Sequence, residues 1–355
     1  MGLIRFLSTP KSDRRTSNRC RCVALPRLCM WAVLISAIPA TVSGMDIEPF
    51  QTRNRNPLVR IFGIPSIGSA FVIPAGKLEG ALQANLANNF AHASASGESI
   101  MLDGETYDFT LSLRYGIAKD LELGMEIPYL VNSGGFLDGF IEGFHDVFGL
   151  PQGSRKSYLR NRLLYQYTRN GETKAQVDNG SSGIGDIRLT GAWQLYGGNA
   201  ESPRAVALHA AVKLPTGNNN RLFGSGSTDF SLWLTACNDF RLPLGHLRLY
   251  GAGGGMVMTD GNVLEDQQRN LAAFGSLGIG WSPVGLLALK VQADGHTSIY
   301  TGSSLKEVNS GSVQITGGGT IGLTKNTFLD IGVSEDLVVN TAPDVVFHLA
   351  LRSRF

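Results

Sequence analysis

Between Glu105 and Val131, apolar side chains fall on every second residue in two successive runs. Tyr107, Phe109, Leu111, Leu113, Tyr115 and Ile117 alternate with Asp108, Thr110, Ser112 and Arg114. After the link Ala118–Lys119–Asp120, Leu121, Leu123, Met125, Ile127 and Tyr129 alternate with Glu122, Gly124 and Glu126. Successive side chains of a strand point to opposite faces, so the stretch predicts a hairpin with one apolar and one charged face. Each run is about ten residues, the length with which a tilted strand crosses a bilayer. Tyr107 and Tyr115 put amphipathic rings at both ends of the apolar face, where membrane interfaces hold them.

The pattern repeats along the rest of the chain. Strands are expected at Lys77–Phe90, in the two runs above, and at Asp186–Tyr196, Ala205–Leu214, Thr228–Cys237, Leu247–Met258, Ala272–Trp281, Leu286–His296, Ser312–Gly322, Thr327–Asp336 and Asp344–Phe355. The fold class this predicts is all-β: a transmembrane antiparallel β-barrel of about twelve strands over residues 77–355, an even number as such barrels require. Links alternate in length. Short ones fall at Gly116–Asp120, Gly197–Arg204, Asn238–His246, Ser282–Gly285 and Leu323–Asn326, and mostly longer ones at Ala91–Gly104, Asn132–Gly185, Pro215–Ser227, Thr259–Leu271, Thr297–Gly311 and Leu337–Pro343. With these registers the outward face is expected to carry no Asp, Glu, Lys or Arg, since a basic side chain near the bilayer midplane costs up to about 2–4 kcal/mol.

The chain of 355 residues is too polar for a helical membrane protein: 17% is charged and no apolar run reaches the length of a spanning helix. Residues 1–28 carry Arg5, Lys11, Arg14, Arg15, Arg19, Arg21 and Arg27 against Asp13 alone; the apolar run Cys29–Ile38 and small residues follow. This order is that of an export signal, with cleavage expected after Gly44. Removing its seven basic residues and one acid from totals of 31 and 29 leaves 24 and 28, a mature net charge of −4, so nothing points to nucleic acid. Three of the four cysteines leave with it, and the remaining Cys237 has no partner for a disulfide. Residues 45–76 are rich in turn formers, hold Pro57 and Pro65, and cannot form a central strand. They form either a lead-in below the barrel or a plug folded into it.

Candidate chemistry lies on the inward face. Asp108, Arg114, Glu122, Glu126, Asp186, Arg188, Lys213, Arg248, Lys290 and Asp294 are the lumen candidates. Their signs nearly balance, whereas an ion-selective path segregates one sign, so both a salt-bridged filling and a permeation path are open. In the long link, Phe136, Phe140, Phe144 and Phe148 recur every fourth residue with His145 among them, the spacing of an amphipathic helix of roughly three turns. Beyond it, Ser154–Arg162 is basic. The helix can pack on neighbouring loops, fold inward as a constriction, or lie at the lipid interface beside lipopolysaccharide phosphates. His209, His296 and His348 lack a defensible nucleophile or paired acid, and no spacing of His, Cys and carboxylates fits a metal, so neither catalysis nor a cofactor is expected.

The last strand places Val345, Phe347, Leu349, Leu351 and Phe355 on one face. It resembles the C-terminal signal by which outer-membrane barrels engage their assembly machinery, with Phe355 as the terminal ring. The segment Arg53–Pro65, the residues Gly143–His145, Ser334–Asp336 and Pro343–Val345 resemble the bacterial domain-of-unknown-function 3187 family, a likeness that covers nearly all of the mature chain and implies fold and location but no activity. The short motifs Glu126–Tyr129, Gly183–Ile187 and Lys213–Gly217 are similar to outer-membrane proteins of a phenol-degradation meta-pathway, which implies a barrel for hydrophobic compounds. Expected from all this is an outer-membrane barrel of a Gram-negative bacterium, in contact with membrane lipid and lipopolysaccharide. Its leading function is a channel or transporter for small, including apolar, molecules. A structural barrel with a filled lumen comes second, and a lipid hydrolase third.

Overall fold

The computed structural model describes residues 45–148, 157–198, 203–337 and 341–355. The export-signal expectation falls on residues outside these, as does the start of the basic stretch. The chain is all-β: β1 (Leu78–Ala95), β2 (Glu98–Ala118), β3 (Leu121–Ser133), helix α1 (Asp138–Phe148), β4 (Leu164–Arg169), β5 (Glu172–Val177), β6 (Ser181–Ile184), β7 (Arg188–Gly197), β8 (Arg204–Lys213), β9 (Asp229–Arg241), β10 (His246–Met258), β11 (Leu271–Val284), β12 (Leu287–His296), β13 (Ser312–Gly322), β14 (Thr327–Asp336) and β15 (Val345–Arg354). Twelve of these, β1–β3 and β7–β15, pair antiparallel with their neighbours, and β15 pairs back onto β1 with Leu82 opposite Leu351. The ring is closed and has no free edge, the arrangement that satisfies every backbone group inside hydrocarbon.

The period-two pattern decides what faces where. Leu82, Phe109, Leu111, Leu123, Tyr129, Leu189, Trp193, Leu232, Leu277, Leu349 and Leu351 are exposed on the outer surface, while their neighbours in sequence turn into the barrel. All twelve expected strands are present. The outer link expected at Ala91–Gly104 is instead strand: β1 and β2 stay paired up to Ala95 opposite Glu98 and reverse at Ser96–Gly97, both with positive φ (52° and 77°). This ribbon rises above the point where β15 leaves β1, at Val345 opposite Asn88. The hairpin β4–β5 adds to it through β2, with Leu102 opposite Tyr165. The long link therefore contains the expected helix but also three strands that alternation alone did not reveal.

The outward face is not free of charge. Glu105 and Glu335 share the parity of the lipid-facing residues of their strands, Tyr107 and Val333. Both lie at the outer ends, away from the midplane where the cost is largest. Glu335 is exposed, and Glu105 is fully buried beneath the start of α1.

Candidate functional site

Residues 45–76 occupy the lumen as a hairpin. Its ascending limb is extended and runs parallel to β12. Lys290 Nζ donates to the Glu48 carbonyl (3.0 Å), and the Gln292 amide both accepts from Phe50 N (2.9 Å) and donates to the Phe50 carbonyl (3.1 Å). Thr52 donates to Asp294 (2.7 Å), and Asn54 lies 2.9 Å from His296 Nε2. Each of these pairs is separated by 242 residues in sequence. A constant offset over alternate residues is strand-like register, with wall side chains standing in for a neighbouring backbone.

At the top the chain turns back through two side-chain turns. Asn54 Oδ1 accepts from Asn56 N (2.8 Å) and Asn56 Oδ1 from Leu58 N (2.9 Å), the local bonding that makes Asn a turn residue. The descending limb follows β9: Asp229 accepts from Gly63 N (2.7 Å), Ser231 donates to the Gly63 carbonyl (3.1 Å), and Trp233 Nε1 donates to the Ile67 carbonyl (2.8 Å). It ends on Ile73 N, which donates to Glu122 (2.6 Å). Two wall glycines make room for this passage. A Cβ at Gly280 would lie 2.4 Å from Ile47 Cγ2, and one at Gly332 would lie 3.3 Å from Phe50 Cε1.

Every lumen candidate faces inward, and most touch this hairpin. Asp108 pairs with Arg55 of the plug, and Glu126 with both Arg53 (2.9 Å) and Arg188 (3.3 Å). Arg188 also donates to the Phe62 carbonyl (3.1 Å). Arg248 binds Asp239, Asp46 (2.6 Å) and the Ile47 carbonyl. Lys290 pairs with Asp330 (2.6 Å), and Arg114 bridges Glu79 and Glu122 (2.9 Å each). Lys213 is nearly inaccessible and is bonded to Asp186 (2.7 Å), Ser225 (2.5 Å) and the Ile61 carbonyl (3.1 Å), with Asp229 3.3 Å away. Asp294 holds Thr52. The near balance of signs thus reflects pairing, much of it between wall and plug.

Sequence reasoning missed the plug half of these pairs: Asp46, Glu48, Arg53, Arg55 and Arg60. Glu48 pairs with Arg352 (2.8 Å) and Arg354, and Arg60 donates to Asn132 (2.9 Å). The visible clue was the placing of Glu48, Phe50, Thr52 and Asn54 on alternate positions, a strand period without a strand's apolar face. The three short turn motifs also converge. Gly185 N donates to the Pro128 carbonyl (2.9 Å), Gly217 N to Asp186 (2.8 Å), and Thr216 Oγ1 to the Gly185 carbonyl (2.9 Å). Together they bridge the break between β6 and β7, where Asp186 meets Lys213.

Above the rim an apolar dome covers the plug. Leu58, Ile61 and Phe62 of the turn belong to one buried cluster with Ile100, Leu102, Tyr165, Tyr167, Leu222, Leu264 and Tyr300. Tyr300 donates to the Leu58 carbonyl (3.0 Å). Leu222 and Leu264 have positive φ (54° and 51°), a conformation costing a side-chain-bearing residue about 1–2 kcal/mol, so the loops that clamp the turn are strained. Glu98 ties the dome to the ribbon: it accepts from the Ser304 hydroxyl (2.6 Å), from Tyr167 (2.7 Å), from Ser304 N (2.6 Å) and from Ser303 (3.1 Å). Burial pushes its carboxyl up, but these donors outweigh it and hold the pKa at about 2. Between the limbs and the wall a cavity of about 70 Å³ remains, lined by Gln51, Ser66, Arg114, Glu126, His209 and Trp233 among others, room for a few waters.

Of the outer-loop candidates, Phe136, just before α1, and Phe140, within it, are exposed, and Phe144, His145 and Phe148 lie in α1 with side chains outside the described residues. Phe355 is exposed at the inner end of the barrel, its N–H donating to the Leu78 carbonyl (2.8 Å). His296 is bonded to Asn54 and, through Nδ1, to the Thr297 carbonyl (2.8 Å); His348 meets Asn85 (2.7 Å), and His209 meets Thr235 (3.0 Å).

A closed ring of twelve antiparallel strands with an apolar exterior and a charged interior defines a transmembrane barrel of the outer-membrane class. Residues 25–355 match the family model described as a protein of unknown function, DUF3187, and the chain belongs to that family. No curated protein matches the chain. Among solved structures it is similar to the COG4313 outer membrane channel from Pseudomonas putida F1, with 14% identity and a TM-score of 0.50, covering 80% of this chain and 97% of that one. It is less similar to the transport unit of the autotransporter AIDA-I from Escherichia coli (12%, 0.41, 78% and 88%) and to the Pseudomonas putida toluene transporter TodX (10%, 0.30, 88% and 95%). At 14% identity the likeness to the COG4313 channel shows the fold alone.

Proposed function

We propose that the protein is an outer-membrane channel of a Gram-negative bacterium for small molecules, apolar ones included, and that its own N-terminal hairpin closes it. The observation that carries this reading is the chemistry of the plug–wall contact. Within the barrel the hairpin is held by ion pairs and by side chains bonded to its backbone, such as Arg53–Glu126, Arg55–Asp108 and Lys290 to the Glu48 carbonyl. Groups of this kind can exchange a protein partner for water, so release of the plug is opposed chiefly by the apolar contacts of Leu58, Ile61 and Phe62 in the dome and of Ile47 and Ile67 along the limbs. The channel neighbour of matching fold supports the same reading by analogy. The cavity of about 70 Å³ beside the plug is too small for an organic solute, so passage along this route requires the hairpin to move.

A second reading, a structural barrel with a permanently filled lumen, is favoured by the burial of so many charges in that same contact. Planar-bilayer recording separates the two. The full-length protein is expected to be quiet with rare openings, and deletion of residues 46–73 to give steady conductance. A deletion variant that folds, shifts on a heated gel and stays silent favours the filled barrel.

A further inference from the structure

The helix α1 lies on the outside of the barrel wall, and three contacts place it there. Glu105, of lipid-facing parity, accepts from the backbone N–H groups of Phe136 (2.8 Å) and Leu137 (2.6 Å), and from Tyr107 Oη (2.8 Å). Asn88, of the same outward parity on β1, donates to Asp138 (3.3 Å). The ring of Phe140 meets that of Phe347, in the lipid-facing row of β15, at 6.3 Å between centroids. Tyr158, on the far side of the loop, packs on the outward rings of Phe90 (5.6 Å) and His92 (5.4 Å).

The helix and the two residues that lead into it present two apolar pairs. Leu137 and Ile141 are buried, whereas Phe136 and Phe140 are 63% and 58% exposed. The open pair continues the apolar belt of the wall, in which Leu349 and Leu351 lie below Phe347 on β15. The polar side of the loop stays together above it, with Arg160 on Glu142 (2.5 Å) and Arg162 on Asp103 (2.8 Å).

We propose that α1 is an interfacial helix whose Phe140, together with Phe136 in the turn leading into it, is immersed in the acyl chains of the outer leaflet, so that this loop grips the membrane rather than gating the pore. The phenylalanines gain the transfer energy of leaving water, and the buried Glu105 carboxylate, satisfied by two backbone N–H groups and a phenol, fixes the entry of the helix against the wall. Gly135 suits this junction: its φ is +75°, and a Cβ there would lie 1.9 Å from Glu105 Cδ. The occupant is lipid because the open pair is continuous with a surface that already faces lipid, and the inference rests on the transmembrane reading of the barrel.

The test is spin-label accessibility in the full-length protein refolded into liposomes, with Cys20, Cys22, Cys29 and Cys237 all changed to Ala as background. A label at Phe140→Cys is compared with Leu349→Cys on the lipid face and Gln176→Cys on the exposed hairpin. Collisions with oxygen relative to a water-soluble nickel complex are expected to be several-fold higher at 140 than at 176 and to match those at 349. Phe136→Cys gives a second reading should substitution at 140 disturb the helix. Labels at both positions that behave like 176, or that are shielded from both reagents by protein, overturn the proposal. A label at 349 that favours nickel overturns the membrane reading itself, a result distinct from failure at 140 and 136 alone.

Discussion

Two segments leave the barrel wall, and they leave in opposite directions. Residues 45–76 enter the lumen, carrying Glu48, Arg53 and Arg55 to charged partners on the inner face and Arg60 to the amide of Asn132. Helix α1 and the turn leading into it go outside, carrying Phe140 and Phe136 to the apolar belt. The barrel sorts each by what its wall offers: a polar inner surface binds through directed pairs, and an apolar outer surface through contact area. Each segment also keeps one foot in the other chemistry. The plug tops out in the apolar dome at Leu58 and Phe62, and α1 is pinned at its start by the single carboxylate of Glu105.

The comparison breaks first at the plug. Asp108→Ala strands the buried Arg55 guanidinium and is expected to weaken plug seating by about 3–5 kcal/mol, read as protease access to residues 45–73 in a barrel that still shifts on a heated gel. Adding Arg55→Met should recover much of this, since no charge is then left unpaired. An effect near zero would mean that the plug is held by area, as α1 is.

Glu105→Ala comes next. It removes the acceptor of two backbone N–H groups, an interaction worth about 1.5–3 kcal/mol, and should free α1 to exchange amide hydrogens while leaving conductance unchanged. Tyr300→Phe removes one hydrogen bond to the Leu58 carbonyl and is expected to cost about 0.5–1.5 kcal/mol, seen as more frequent openings. The smallest effect is one of pH. The Glu98 carboxyl is held below its ordinary 4.5 at about 2, so its contribution to the dome is complete above pH 4.5 and declines as the pH falls towards 2. Proteolysis of the 298–305 segment should rise over that window in the native protein and not in Glu98→Gln.

How much of this was legible in the sequence follows from which signals are periodic. The twelve barrel strands alternate, so their existence, their facing and the inward position of Arg114, Lys213 and Lys290 could be read directly. The hairpin β4–β5 alternates poorly, and its signal is the turn Asn170–Gly171, both with positive φ (53° and 79°), a dipeptide that favours tight reversal. The charge rule for the outward face failed at Glu105 because parity alone cannot show that a loop returns to cover a carboxylate. The plug was legible only as an alternative: its limbs are extended but bond to side chains, so no apolar period marks them. Its partners, 242 residues away along β12, become visible only when the ring closes.

The central claim is that residues 45–76 thread the lumen in one register. Paired cysteines at Thr52 and Asp294, whose side chains meet at 2.7 Å, test it in the membrane-inserted protein. Oxidation is predicted to cross-link Thr52→Cys with Asp294→Cys and to leave Arg53→Cys with Asp294→Cys open. Equal cross-linking of the two pairs, or a Thr52→Cys thiol freely labelled from the aqueous side with no cross-link at all, would contradict it.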